Sequence, residues 1–144
     1  MEGFTIRDYK EEDFEAVMRL WEQTGMGSKE RGDDKDTIDR CMENGGKMLI
    51  LEEEEEKSLA GTSWMTFDGR RIHLHHFGIL PEYQGKGLSK FLLEKTLAWV
   101  KEKGYQVKLE VHASNKAAIN LYKKYGFNYL GDYRIYIIRD INYA

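Results

Sequence analysis

One cysteine, Cys41, and one proline, Pro81, are all that this 144-residue chain holds of either residue. A lone thiol excludes an internal disulfide framework and a cysteine-rich zinc module. Long apolar runs are missing too. Met48-Leu49-Ile50-Leu51 is typical, far below the ~20 residues of a membrane span. The opening Met-Glu-Gly-Phe-Thr-Ile-Arg has neither the basic nor the apolar region of a signal peptide, so a cytoplasmic protein with no membrane partner is expected. Basic charge is not in excess: 22 Lys/Arg stand against 25 Asp/Glu, a net charge of -3, which argues against a nucleic-acid partner. What is present suits a globular protein. At 41% hydrophobic and 33% charged, the chain can bury a core, and its length matches a single domain over residues 1–144.

The near-balanced total hides a split. Residues 1–80 carry 11 Lys/Arg and 19 Asp/Glu, whereas residues 81–144 carry 11 and 6. A basic half in an acidic protein points either to a local site for a small anion or to plain surface variation. Pro81 falls at the boundary.

Phe4 to Tyr9 reads as a first strand. Glu11-Glu12-Asp13 then place acids at a helix start, followed by Phe14, Val17, Met18 and Trp21 at helical spacing, with Gly25 to stop it. Gly27 to Asp36 is polar and loop-like. A short helix from Asp36 to Glu43 ends at Asn44-Gly45-Gly46. Strands are expected at Lys47 to Leu51 and Ser58 to Phe67, with Glu52 to Glu56 as either a solvated hairpin tip or an acidic lip. Asp68-Gly69 signals a hairpin into a strand from Arg71 to Leu80. A long helix runs to about Lys103, with Leu88, Phe91, Leu92 and Trp99 among its apolar positions. A strand from Gln106 to Val111 and a helix capped by Asn115 and stopped by Gly126 follow. Tyr129 to Asp132 and Arg134 to Ile141 read as closing strands. Hairpins early and helical crossovers late demand an α/β fold with a mixed, largely antiparallel sheet and helices on both faces.

Two segments carry chemistry. In Gln84-Gly85-Lys86-Gly87-Leu88-Ser89, between a strand and a helix, glycines let the backbone approach a ligand, and the first N–H groups of the helix favour phosphate. Lys86 and Lys90 can add charge. The spacing is neither a P-loop nor a dinucleotide fingerprint, since the Gly-Lys-Ser/Thr ending and the third glycine are missing. The second segment, Asn115-Lys-Ala-Ala-Ile-Asn-Leu-Tyr-Lys-Lys-Tyr-Gly-Phe127, is an amphipathic helix with both caps. Within it Tyr122 is either a core residue or, with a phenol of pKa about 10, an acid for a departing thiolate.

Together these segments resemble the GNAT superfamily of N-acetyltransferases. Gln84, Gly87 and Ser89 fill the family's pyrophosphate loop Arg/Gln-x-x-Gly-x-Gly/Ala, preceded by Pro81-Glu82-Tyr83, with Ser89 in place of the usual Gly/Ala. Asn115, Ala118, Leu121, Tyr122, Gly126 and Phe127 fill the later motif Asn-x-x-Ala-x-x-Leu-Tyr-x-x-x-Gly-Phe. The resemblance implies a GNAT-like fold with splayed central parallel strands and acetyl-CoA as cosubstrate. It implies that backbone groups of Phe77 and Ile79 pair with the pantetheine arm, that Gln84, Gly85, Lys86, Gly87, Leu88 and Ser89 hold the pyrophosphate, that Asn115 helps fix the arm, and that Tyr122 faces the sulfur. The acceptor it implies is a small-molecule amine or a peptide or protein amine. It also admits a homodimer. Gly78 marks a candidate bulge.

His73-Leu74-His75-His76 is the third signal. On a regular strand His73, His75, Phe77 and Ile79 share one face, and His76 lies on the other. A protonated amine cannot attack a thioester, and imidazole, with pKa about 6.5, suits the task of base at neutral pH. His-Leu-His resembles the strand of arylalkylamine N-acetyltransferases, where the paired histidines act as bases through water. The other readings are hydrogen-bonded strand histidines, or the start of a zinc site completed by His112, His76 or a carboxylate, which no spacing selects. No metal is expected. Trp21, Trp64 and Trp99 read as core residues, with Trp64 a candidate lining for the acceptor pocket, and Cys41 as a packed thiol. The expected function is acetyl transfer from acetyl-CoA to a primary amine by direct attack in a ternary complex. Its rivals are a non-catalytic acyl-CoA-binding module and a metal-dependent hydrolase.

Overall fold

A computed structural model describes residues 1–27 and 31–143. The expected loop Gly27 to Asp36 therefore falls partly outside the described residues. The chain forms two compact units, Met1–Glu110 and Val111–Ala144.

The first unit opens with strand β1 (Phe4–Asp8), a 3-10 turn at Glu11–Asp13, and helices α1 (Phe14–Thr24) and α2 (Lys35–Glu43). Asp13 ties this opening together. Its carboxylate accepts from the Lys10 backbone N–H at 2.8 Å and from both terminal nitrogens of Arg7 at 2.8 Å. Arg7 also donates to Glu52, so one guanidinium spans β1, the turn and the next strand. Gly25 ends α1 in the left-handed region at φ 69°, and Asp34 caps α2 by accepting from Thr37 N–H.

Four strands follow: β2 (Lys47–Glu53), β3 (Ser58–Phe67), β4 (Arg71–Leu74) and β5 (Gly78–Ile79). Helix α3 (Leu88–Lys103) then crosses to β6 (Gln106–Leu109). The sheet order is β1-β2-β3-β4-β6, with β5 also paired to β3. All pairs are antiparallel except β4 with β6. The acidic run forms the β2–β3 hairpin turn, where the Glu53 carboxylate accepts from the N–H groups of Glu55 and Glu56.

Helices cover both faces. On one, Trp21 of α1 packs with Ile38 of α2 against Met48, Ile50 and Trp64, and its indole N–H donates to Thr62 Oγ1 at 2.9 Å. On the other, Thr96 of α3 meets Ser63 of β3, hydroxyl to hydroxyl at 2.7 Å. Alternation along β3 sends Thr62 and Ser63 to opposite helices. Trp21 and Trp64 are core residues as expected. Trp99 is only half-buried, and Lys103 Nζ stands 5.7 Å over its ring.

The second unit holds α4 (Lys116–Lys124) and a 3-10 turn at Ile141–Tyr143. The expected closing strands at Tyr129 to Asp132 and Arg134 to Ile141 are not formed. Tyr129, Tyr133, Ile135, Tyr136 and Ile137 are exposed, Tyr129 by 88%. Strand composition alone does not make a strand, because a strand's backbone groups need a paired neighbour.

Candidate active site

The break between β4 and β5 shapes the site. Leu74 stands opposite Met65 and Gly78 opposite Thr62, so four steps on one strand answer three on β3. This is a β-bulge over His75-His76-Phe77, and it divides the single strand expected from Arg71 to Leu80.

The bulge also corrects the expected facing. His73 stands opposite Thr66, and His75 N–H donates to the Trp64 carbonyl at 2.7 Å. The His73 and His75 rings lie stacked on that face, centroids 4.0 Å apart. Beyond the bulge Ile79 stands opposite Gly61, on the other face of β3. His76, expected away from His75, turns to the same aromatic cluster, 4.6 Å from Trp21 and 5.4 Å from Trp64 between centroids. The extra residue shifts the period by one, and every side chain after it changes sides.

The two stacked imidazoles are not equivalent. His75 Nε2 lies 2.7 Å from Thr66 Oγ1, and Trp64 covers the ring. Burial, with smaller contributions from His73 and His76, pulls its pKa down to about 3. His75 is therefore neutral at any working pH. His73 is also lowered, by burial first, while Glu110, with Oε1 3.9 Å from His73 Nε2, pulls the other way. His73 is the better proton acceptor of the two.

A folded-state pKa of about 3 against about 6.5 in the unfolded chain means the unfolded state binds more protons between these values. Stability is fully present above pH 6.5 and is lost as pH falls toward 3. His75 alone contributes a loss of about 2 kcal/mol between pH 6.5 and 4.5. Urea unfolding across that range measures it, and His75→Gln flattens the slope.

On the far side of the bulge, Leu80 N–H donates to Ala60 O at 2.8 Å, so alternation turns the backbone of Ile79 away from β3. Among the described residues no strand lies along that side of β5, because β6 pairs with β4 alone and the pairing ends at Leu74 opposite Leu109. The central parallel strands part here. Gln84 Nε2 donates to Ile79 O at 2.9 Å and pins the following loop to the strand end. Gly85 and Gly87 adopt φ 80° and 79°, a left-handed conformation costly to other residues. Gly87 is the N-cap of α3, with no side-chain cap and no acid in the first turn. Leu88 is buried, so it offers only its backbone, while Gln84, Gly85, Lys86 and Gly87 are exposed and Ser89 is half-buried. Lys86 Nζ lies 5.8 Å over the Tyr83 ring. An exposed helix N-terminus with two glycines and a lysine beside it suits an anion.

In the second unit Asn115 caps α4, its Oδ1 accepting from Ala118 N–H at 3.3 Å. Tyr122 is buried, 8% exposed, with its ring 5.6 Å from that of Phe127. Burial pushes the phenol up to about 12, so it holds its proton throughout the neutral range.

Sequence reasoning did not single out Thr66, Glu110 or Asp33. Thr66 was reachable, because the Asp68-Gly69 turn sets a register that places it opposite His73. Glu110 and Asp33 meet the histidines only through long-range folding. Trp64, 4% exposed, packs under the histidines and is not a pocket wall. Cys41 is a packed thiol whose Sγ accepts from the Trp64 indole N–H at 3.1 Å, and burial raises its pKa. Among the described residues no group of three His, Cys, Asp or Glu is placed to hold a metal ion.

A mixed sheet with parted parallel strands and a glycine loop capping the next helix defines an acyltransferase architecture. The chain belongs to the Acetyltransferase (GNAT) family, which matches it over residues 14–127. Solved structures share the fold. The ribosomal-protein-S18-alanine N-acetyltransferase from Escherichia coli is 25% identical, with a TM-score of 0.73 over 87% of this chain and 77% of that one. Ard1 from Thermoplasma volcanium is 22% identical, with a TM-score of 0.74 over 88% of this chain and 83% of that one. A GNAT family acetyltransferase from Elizabethkingia anophelis with acetyl-CoA bound is 18% identical, with a TM-score of 0.64 over 89% of this chain and 78% of that one. No helix among the described residues is long and apolar enough to cross a membrane.

Proposed function

We propose that the protein transfers an acetyl group from acetyl-CoA to a primary amine by direct attack in a ternary complex. The observation that carries this reading is the backbone edge of β5. It points away from β3 where the parallel strands part, bounded by two stacked histidines on one side and the glycine loop on the other. The family match crosses the division between the two units, which supports one acetyltransferase domain over residues 1–144.

Bound acetyl-CoA supplies the reactive thioester. Gly85, Lys86, Gly87, Leu88 and Ser89 fit its pyrophosphate through backbone N–H groups and one ammonium, while Gln84 fixes the loop. Backbone groups of Phe77 and Ile79 pair with the pantetheine arm, and strand N–H groups there hold the carbonyl oxygen as it gains charge. Asn115 helps fix the arm. His73 takes the amine proton, directly or through water, with His75 stacked behind it. Tyr122 donates its hydroxyl proton toward the departing sulfur.

The acceptor is a small-molecule amine or a peptide or protein amine. Of the fold relatives above, one is named for alanine of a ribosomal protein. The deciding experiment is acetyl-CoA consumption with polyamines, arylalkylamines, amino acids, aminoglycosides and peptides bearing free amines. Acetylation of any of these supports the proposal. Coenzyme binding without acetylation of any amine overturns it in favour of a non-catalytic acyl-CoA-binding module.

The loop assignment has its own test. Gln84→Ala frees the loop from Ile79 O and raises the coenzyme Kd by about 10-fold, the worth of one charge-free hydrogen bond plus lost pre-organisation. The value of kcat at saturating coenzyme stays within about two-fold of the unmodified protein, as expected for binding made equally in ground and transition states. Calorimetric titration and steady-state kinetics measure the two quantities.

A further inference from the structure

Beneath the stacked histidines lies a second polar contact. His76 Nε2 stands 3.0 Å from Asp33 Oδ2, with side chains 19% and 10% exposed. Trp21 and Trp64 pack edge-on against the His76 ring. The segment joining α1 to α2 meets the bulge at two more residues. Gly27 lies so close that a Cβ there would stand 2.7 Å from His76 Nε2 and closer still to the Asp33 carboxylate. Met26 lies against Gly78, where a Cβ would come within 2.6 Å of its Cε. Gly27 and Asp33 therefore meet the bulge at His76, and Met26 meets Gly78 beside it.

Stability alone does not explain such a pair. A buried acid and imidazole lose hydration that their attraction seldom exceeds, and an apolar pair of similar volume commonly does as well. What the polar pair adds is direction. The His76 carbonyl accepts from Thr62 Oγ1 at 3.0 Å, and that oxygen accepts from the Trp21 indole N–H. His76 is thus met at its ring by the Asp33 carboxylate, at ion-pair distance, and held at its backbone by a hydrogen bond from Thr62. His75, one residue earlier, inherits that placement, and its own ring is aligned by Thr66.

The structure assigns to Asp33 a positioning role: through His76 it locks the bulge that carries His75 to the residue next to the α2 cap. The assignment rests on the acetyl-transfer reading above, since the bulge matters to catalysis only if the histidine pair serves the reaction.

Asp33→Ala and Asp33→Asn test it. Asparagine keeps a polar side chain of the same size beside His76 Nε2 and removes the charge. Misplacement of about 1 Å commonly costs up to about 100-fold in rate. Asp33→Ala accordingly lowers kcat by about 10–30-fold, leaves the coenzyme Kd within about two-fold, and shifts the His75 ring resonances in NMR spectra. Asp33→Asn restores kcat to within about three-fold and returns the resonances toward their original positions. A merely structural role gives the opposite pattern: a lower thermal midpoint, with kcat and the His75 resonances unchanged at 25 °C. That result overturns the assignment. Should Asp33→Ala fail to fold, His76→Gln, which keeps a polar side chain and removes the imidazole beside Asp33, is read in the same two ways. The spectra are independent of turnover. If the unmodified protein acetylates no amine, the functional reading fails, while unmoved His75 resonances still overturn the lock.

Discussion

Tyr122→Phe lowers kcat by about 100-fold and leaves the coenzyme Kd within about two-fold. The substitution removes one oxygen and keeps the ring that packs near Phe127, so the second unit retains its aromatic contact. A general acid contributes about 10²–10⁴-fold, and the lower end is expected here for a reason visible in the side chain. With its pKa raised to about 12 by burial, the phenol is fully protonated at neutral pH and always available to donate. The same shift weakens it as an acid toward a thiolate, whose ordinary pKa is about 8.5. On the proposed mechanism its main contribution is a hydrogen bond to sulfur as charge develops, with the proton following as the bond to carbon breaks. Coenzyme affinity reports the ground state, where the thioester sulfur is a poor acceptor, so Kd is insensitive. Steady-state kinetics at saturating coenzyme with direct binding titrations measure both. An unchanged kcat removes Tyr122 from this role and returns it to packing.

What the sequence disclosed and what it concealed divide by range. Gln84 to Ser89 and Asn115 to Phe127 were legible because each is a local device: glycine conformations, a cap and a helical spacing lie within a few residues of one another. The Asp68-Gly69 turn and the Glu53 turn were local in the same sense. The strand from Arg71 to Leu80 was legible in existence but not in shape. A period of two carries no mark of an inserted residue. Gly78 was a pointer to the bulge, yet it could not say that Ile79 would leave the face of His73. Most of what tunes the histidines is long-range. Glu110 beside His73 and Asp33 beside His76 are separated from their partners by dozens of residues, and only the fold brings them together. The segment from Tyr129 to Ile141 shows the opposite failure. Its composition suits strands, but pairing is a property of neighbours, and Tyr136 and Ile137 stand exposed.

Replacing both His73 and His75 by alanine abolishes the rise of kcat/KM with pH that belongs to the enzyme, and lowers the plateau by about 100-fold or more. Only a neutral imidazole accepts the amine proton, so the rate climbs as pH passes the base's pKa and levels above it. His75, at about 3, titrates below any usable assay pH and cannot supply that limb. On the proposed mechanism the limb belongs to His73, and burial places it below the usual 6.5. His73→Ala alone therefore removes the limb. His75→Ala keeps it and costs less, since His75 acts by stacking and through Thr66. Glu110→Gln gives the sign a separate check. The carboxylate stabilises the imidazolium and raises the His73 pKa, so its loss moves the limb to lower pH and leaves a slightly weaker base. The acceptor's own ionisation produces a rising limb as well, and two acceptors whose amines differ in pKa separate the contributions. A limb that survives unmoved in the double variant with both acceptors overturns the base assignment, and a limb that moves to higher pH in Glu110→Gln overturns the electrostatic account of His73.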